Sequence, residues 1–214
     1  MTAKDELPLI LASSSPRRQE ILSSAGIEFE VIPSEVDESF LQGESSEEHV
    51  VRLARMKALK AAEKNKDRWV LAADTIVVID GRILGKPWGR EEAEEMLQML
   101  SDREHRVITG YCLMQASSRK NREGKVITRV RFKALSPEEI RWYLDTGEPF
   151  DKAGGYAIQG KAAFMVKEIN GSYTNVVGLP LTEVVEALEE LREVDLFPTP
   201  MRAPFSPLGS QYWA

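Results

Sequence analysis

The spacing of apolar positions changes along the chain, and each change marks an element. Leu9-Ile10-Leu11-Ala12 is a continuous apolar run of the kind a buried strand makes, and Ser13-Ser14-Ser15-Pro16-Arg17-Arg18 follows at once. Ser15 at the N-cap and Pro16 at the first helical position predict a helix with Ile21, Leu22 and Ala25 on one face, closed by Gly26. Phe29-Glu30-Val31-Ile32 alternates as a second strand should, and the acids from Glu35 to Glu38 read as a loop. Residues 46–64 carry a helical stripe of Val50, Leu53, Ala54, Met56, Leu59 and Ala61. Residues 69–79 form the most hydrophobic strand of the chain, with one carboxylate, Asp74, in its middle. Asp80-Gly81 is a hairpin signal, residues 82–84 return as the partner strand, and residues 91–100 follow as an amphipathic helix with acids in its first turn.

The second half predicts a long hairpin, residues 106–116 against 126–135, joined by a polar loop at 117–124. Ser136-Pro137-Glu138-Glu139 is a capping box that opens a helix to about Thr146. Residues 147–160 are too rich in glycine for a helix and too long for a simple turn, which marks a functional loop. Residues 163–169 read as a strand, Asn170-Gly171 as a tight turn, and residues 182–193 as a last amphipathic helix. The pattern predicts one domain over residues 1–194 and an irregular tail over 195–214, where Pro198, Pro200, Pro204 and Pro207 stand among scattered aromatics.

Composition narrows the chemistry. The 28 Lys and Arg against 34 Asp and Glu leave a net charge of −6, and no long basic run is present, which argues against a nucleic-acid binder. A small anionic ligand is still compatible, because a local basic pocket can sit in an acidic protein. One cysteine, Cys112, excludes an intramolecular disulfide and a multi-cysteine metal site, and its neighbours place it inside a strand. Two histidines, His49 and His105, leave little material for a histidine metal site or a serine-hydrolase triad, and both read as structural or surface residues. The first residues offer neither a signal peptide nor a spanning helix, so the expectation is a cytoplasmic protein that does not enter a membrane.

Carboxylates, lysines, arginines and hydroxyls are therefore the available chemistry. Ser13, Arg17 and Arg18, between a strand end and a helix start, bring hydroxyls, free amides and two guanidiniums to one point, which is an anion site. Asp74, inside an apolar strand, must be paired or bound to a cation to offset its desolvation. Strand-end carboxylates commonly hold Mg²⁺, and Glu35, Asp37 or Glu38 would supply a second ligand. Lys57 and Lys86 are each compatible with an ordinary surface lysine. The loop Asp151-Lys152-Ala153-Gly154-Gly155-Tyr156-Ala157-Ile158-Gln159-Gly160 combines glycines that permit close backbone approach with Asp151, Lys152 and Gln159 to orient a ligand.

The combination is more specific than its parts. Leu11-Ala12-Ser13-Ser14-Ser15-Pro16-Arg17-Arg18, Ala73-Asp74-Thr75, Leu84-Gly85-Lys86-Pro87, Thr109-Gly110, the loop from Asp151 to Gly160, and Gly171-Ser172-Tyr173 with Val177-Gly178-Leu179-Pro180 stand in the order seen in the Maf family of nucleotide pyrophosphatases. From about residue 8 to 193 the chain closely resembles that family. The resemblance implies an α/β fold with an elongated, strongly bent mixed sheet flanked by helices, two lobes around a deep cleft, and a homodimer. It also implies cleavage of a nucleoside triphosphate to monophosphate and pyrophosphate with a divalent cation, Mg²⁺ or Mn²⁺. On matching positions Ser13, Arg17, Arg18 and Gln159 would bind substrate, and Asp74, Lys57, Lys86 and Glu38 would be catalytic. Asp74 would act as general base, with Asp74 and Glu38 the metal ligands. These two roles of Asp74 compete, because a carboxylate that ligates Mg²⁺ is a poorer proton acceptor. The glycine loop resembles the branch acting on dTTP and UTP. The alternatives are a 7-methyl-GTP pyrophosphatase and a nucleotide-binding regulator of septum formation without turnover.

Overall fold

The computed structural model describes residues 8–192. Its first half runs β1 (Leu9–Leu11), α1 (Pro16–Ser24), β2 (Phe29–Val31), α2 (Ser46–Ala62), β3 (Val70–Ile79), β4 (Arg82–Leu84) and α3 (Arg90–Leu100). The second half runs β5 (Glu104–Gln115), β6 (Lys120–Phe132), α4 (Pro137–Asp145), β7 (Val166–Asn170), α5 (Tyr173–Val177) and α6 (Leu181–Arg192). The strands form one mixed sheet in the order β2-β1-β3-β5-β6-β7, with β4 also on β3. Only β1 pairs in parallel, with β2 and with β3, and every other pairing is antiparallel.

β3 reads as a continuous apolar run because both of its faces are covered. Leu71, Ala73, Val77 and Ile79 join a large core with α1, α3, α4, α5 and α6, whereas Val70, Ala72, Ile76 and Val78 lie under α2 on the other face. The two-residue period of a strand therefore turns Asp74 toward α2 and Thr75 toward the opposite layer.

Four sequence expectations change. The buried stripe of α2 is Val50, Leu53, Ala54, Lys57, Ala58 and Ala61, while Leu59 is 45% exposed. Small residues, rather than Met56 and Leu59, let this helix lie close to the sheet. Ser15 has the extended backbone of an N-cap but makes no side-chain capping bond, and its N–H donates to Ser13 Oγ at 3.3 Å. Residues 120–124 are strand, not loop: β5 and β6 pair from Gln115 opposite Lys120 onward, and the polar residues there mark a solvent-facing surface. Residues Lys161–Met165 form a 3₁₀ turn, so the last strand begins at Val166. The short helix α5 went unpredicted, since five residues are too few to show a period. The predicted tail lies outside the described residues. Cys112 is fully buried in β5, and burial pushes its thiol up to about 12.

His105 is 2% exposed, and its Nε2 meets the Tyr156 hydroxyl at 2.8 Å while its Nδ1 has no partner. Burial pushes the imidazole down to about 3 from 6.5. Below pH 6.5 the unfolded chain takes up a proton that the folded chain refuses until about pH 3, so stability falls as pH falls through that window. The loss is on the order of 5 kcal/mol at its limit. His105→Gln is expected to flatten this part of the stability curve in denaturant titrations between pH 4 and pH 7, roughly the interval where the protonation states diverge. A mutant curve parallel to the wild type would overturn the assignment.

Candidate active site

The edge of β3 that faces β1 and β4 is occupied only at its two ends. β1 pairs up to Leu11 opposite Leu71, and β4 begins where Leu84 stands opposite Val77, so neither strand pairs with residues 72–76. β1 approaches this gap from one direction and leads into Ser13, while β4 approaches from the other and leads into Lys86. Chain ends that diverge from a shared strand leave a crevice of the type in which α/β sheets bind ligands. Asp74 and Thr75 lie in this gap, their side chains on opposite faces of β3.

Five of the residues singled out in the sequence form two bonded groups there, one on each side of β3. Lys57 Nζ lies 2.7 Å from Asp74 Oδ1 and 2.7 Å from Glu38 Oε1. Lys57 is thus no surface lysine. It occupies a core position of α2, and its buried charge is compensated by two carboxylates. Burial pushes the Glu38 carboxyl up, but the Lys57 hydrogen bond and charge, with the charges of Lys86 and Arg18, outweigh it and hold the group below its ordinary value. On the opposite side of β3, Arg18 donates to Gly178 O at 2.8 Å, Ser13 Oγ at 2.9 Å and Thr75 Oγ1 at 3.1 Å. Burial lowers the guanidinium's pKa from its ordinary value, although an arginine keeps its charge. These bonds use three of its five N–H groups and leave two for an anion.

Behind Arg18 stands a chain of hydroxyls that the sequence analysis missed. Thr75 Oγ1 lies 3.0 Å from Thr109 Oγ1, and Thr109 donates to Asn175 O at 3.1 Å. A hydroxyl has one proton, so with the Thr109 proton on Asn175 O the Thr75 proton goes to Thr109 at 3.0 Å in preference to Gly178 O at 3.4 Å, and the order runs Arg18 to Thr75 to Thr109 to Asn175 O. Asn175 Nδ2 in turn donates to Val107 O and Thr128 Oγ1, which anchors α5 to β5 and β6. The only sequence trace was a threonine in each of two short motifs.

The loop carrying Glu38 is fixed by a second network. Arg52 on α2 meets Glu44 through two nitrogens, at 2.5 and 2.8 Å, and donates to Ser39 O at 2.9 Å. Glu44 also meets His49 Nδ1 at 3.0 Å, and the His49 ring stacks on Phe40. The Arg52 hydrogen bond holds the Glu44 carboxyl down at about 2. His49 is therefore structural, as the sequence predicts. Asp37 turns to Ser39 and takes no part in either bonded group.

The remaining expected residues are less tightly joined. Lys86 is exposed, and its charge acts on Glu38. Arg17 makes no ion pair among the described residues. Burial lowers its pKa, opposed most by the charge of Asp151 and also by that of Glu148. The glycine loop folds as short 3₁₀ turns with Gly154 and Gly155 at positive φ, and Gly154 N–H donates to Gly85 O at 2.9 Å, so it props the Lys86 segment. Lys152 pairs with Asp151. Gln159 is exposed, and no hydrogen bond or ion pair joins it to either bonded group.

The donor set suits a divalent cation. The bonds to Lys57 use Asp74 Oδ1 and Glu38 Oε1 and leave Oδ2 and Oε2 free of protein partners among the described residues. Mg²⁺ or Mn²⁺ prefers such oxygens and completes its shell with water and phosphate. No group of three or more His, Cys, Asp or Glu gathers among the described residues, so this pair would be the protein's whole contribution.

The chain is similar to known proteins along most of its length. A dTTP/UTP pyrophosphatase of Geotalea uraniireducens (strain Rf4) is 55% identical over 199 residues, covering 91% of this chain and all of that protein. One from Syntrophus aciditrophicus (strain SB) is 53% identical over 183 residues, covering 86% of this chain and 89% of that protein. Among solved structures, the Staphylococcus aureus Ham1 protein has a TM-score of 0.40 at 17% identity, covering 59% of this chain and 72% of that one. The Maf-like protein family matches residues 8–191, the span that carries every residue of the crevice, and the chain belongs to that family.

Proposed function

We propose that this protein hydrolyses dTTP and UTP to the monophosphate and pyrophosphate. The observation that carries the reading is the 55% identity to a dTTP/UTP pyrophosphatase along that protein's whole length. The crevice has the chemistry the reaction needs. Attack of water on the α-phosphorus breaks its bond to the bridging oxygen and expels pyrophosphate, so the site must neutralise a triphosphate and hold a water in line. Arg17 and the two free N–H groups of Arg18 would take phosphate oxygens, with Ser13 beside them. Lys57 has one N–H beyond those given to Asp74 and Glu38, and it would point that donor at the phosphates, as would Lys86. Asp74 would orient the attacking water and accept its proton. A cation held by Asp74 and Glu38 would supply charge neutralisation when bound. Gln159 would contact the nucleoside. The family resemblance further supports a homodimer in the cytoplasm, and no helix among the described residues is long and apolar enough to cross a membrane.

The test is pyrophosphate release from a nucleotide panel with Mg²⁺. Turnover of dTTP and UTP well above that of 7-methyl-GTP and the standard purine nucleotides is expected. Release from neither pyrimidine triphosphate would overturn the reading.

A further inference from the structure

Arg18 is gripped by the fold at three points. Nε donates to Gly178 O at 2.8 Å and Nη2 to Thr75 Oγ1 at 3.1 Å, and these two acceptors stand 3.4 Å from each other, so both lie along one edge of the guanidinium. Nη1 donates to Ser13 Oγ at 2.9 Å, which leaves one N–H on each terminal nitrogen. A planar fork held in this way cannot turn about its own axis, so the grip sets the direction of the remaining pair. Thr75 can offer its lone pairs to Arg18 because its proton is drawn the other way, to Thr109, whose own proton goes to Asn175 O. Thr109 and Asn175 are fully buried, and Asn175 is fixed to the sheet through Val107 O and Thr128 Oγ1. The α5 segment therefore holds Arg18 twice, directly from Gly178 O and through two threonines from Asn175 O.

The sheet itself does not need this arrangement. Thr75 and Thr109 stand opposite each other in the β3–β5 register, where a valine would pair and pack as well, and two inward hydroxyls carry a desolvation cost that their bonds only offset. What sets this cross-strand pair apart is where it ends, on a half-buried guanidinium with N–H groups to spare. We propose that Thr75 and Thr109 are positioning residues, holding Arg18 at the angle at which its two remaining N–H groups meet the phosphate chain of the substrate. This rests on the reading of the crevice as a nucleoside triphosphate site.

The probe is inorganic tripolyphosphate, which reads the phosphate site without turnover, titrated calorimetrically into each protein at fixed Mg²⁺. Thr75→Val keeps the branched shape and removes the hydroxyl, and it is expected to weaken binding about tenfold, because a charged donor loses its acceptor. Thr75→Ser keeps the hydroxyl and should bind nearly as wild type does. Thr109→Val, at a position no ligand reaches, should weaken binding about threefold, since the Thr75 proton then has only Gly178 O at 3.4 Å. In an Arg18→Lys background, Thr75→Val should change affinity by less than about twofold, because a lysine has no fork for the threonine to aim. Wild-type affinity in Thr75→Val or in Thr109→Val would overturn the proposal, as would equal losses in Thr75→Val and Thr75→Ser. The full tenfold loss persisting beside Arg18→Lys would overturn it too, since Thr75 would then act on the phosphate or on the sheet and not through Arg18. A wild type that binds tripolyphosphate but releases no pyrophosphate from dTTP would instead overturn the functional reading, and one that does neither would overturn both.

Discussion

Replacing Asp74 by Asn is expected to lower kcat for pyrophosphate release by on the order of 100- to 10,000-fold while nucleotide binding survives. Asn has the size of Asp and can still accept the Lys57 hydrogen bond through its amide oxygen, so the packing of β3 against α2 is kept. What disappears is the negative charge that would take a proton from water and help hold a cation. Binding should be unchanged or tighter, because one anion is removed from a crevice that receives a polyanion. Calorimetric titration with dTTP gives the affinity, and stopped assays of pyrophosphate give kcat. A Mg²⁺ titration of the variant separates the two roles of Asp74. If excess Mg²⁺ restores most of the turnover, the carboxylate acts chiefly as a ligand; if kcat stays low at saturation, it acts chiefly on the water. Turnover equal to wild type at ordinary Mg²⁺ would remove Asp74 from the chemistry altogether.

Which parts of this site were legible in the sequence follows from how local their causes are. The Ser13-to-Arg18 segment could be read because a strand end, a proline at the first helical position and two arginines all lie within ten residues. Asp74 could be read because a lone carboxylate in a strand buried on both faces needs a partner. Its partner was harder to see. Lys57 lies at the spacing of Val50, Leu53, Ala54, Ala58 and Ala61, and the choice of Met56 and Leu59 for the stripe hid it by rotating the buried face. An alanine-rich phase with a lysine inside it was the available signal. The hydroxyl chain behind Arg18 had no local signal, since Thr75 and Thr109 meet only through the register of β3 with β5, and Asn175 arrives from a helix far along the chain.

The net charge of −6 also takes on a more definite meaning. The acidic balance is spread over solvent-facing surfaces, while Arg17, Arg18, Lys57 and Lys86 come from three separated segments to one crevice. All four are already partly offset: Lys57 shares its charge with Asp74 and Glu38, Arg18 feels Asp74 and Glu38, Lys86 acts on Glu38, and Arg17 feels Asp151 and Glu148. A site built this way avoids the cost of four unpaired cations in the empty protein and still presents free N–H donors when a triphosphate enters.

Gly110→Ala is expected to damage both stability and catalysis although Gly110 touches no substrate. Gly110 lies opposite Asp74 in the β3–β5 register, on the face covered by α2. A Cβ there would overlap the backbone carbonyl of Val50 and the amide of Val51, so the obstacle is helix backbone and not a side chain that can rotate away. Either α2 moves outward or β5 bends. Overpacking of this kind costs about 1–3 kcal/mol. The catalytic effect comes through Lys57, two helical turns beyond Val50 and about 10 Å along the axis. A helix displaced at Val50 carries Lys57 away from Asp74 and Glu38, and both 2.7 Å contacts depend on its present position. Since misplacing a reacting group by about 1 Å can cost on the order of 100-fold, kcat is expected to fall by at least tenfold in protein that is still fully folded. Urea titration measures the first effect, and kcat with the folded fraction checked by circular dichroism measures the second. A variant that loses stability but keeps wild-type kcat would show that the seat of α2 is structural only, and one that keeps both would show that β5 yields without moving the helix.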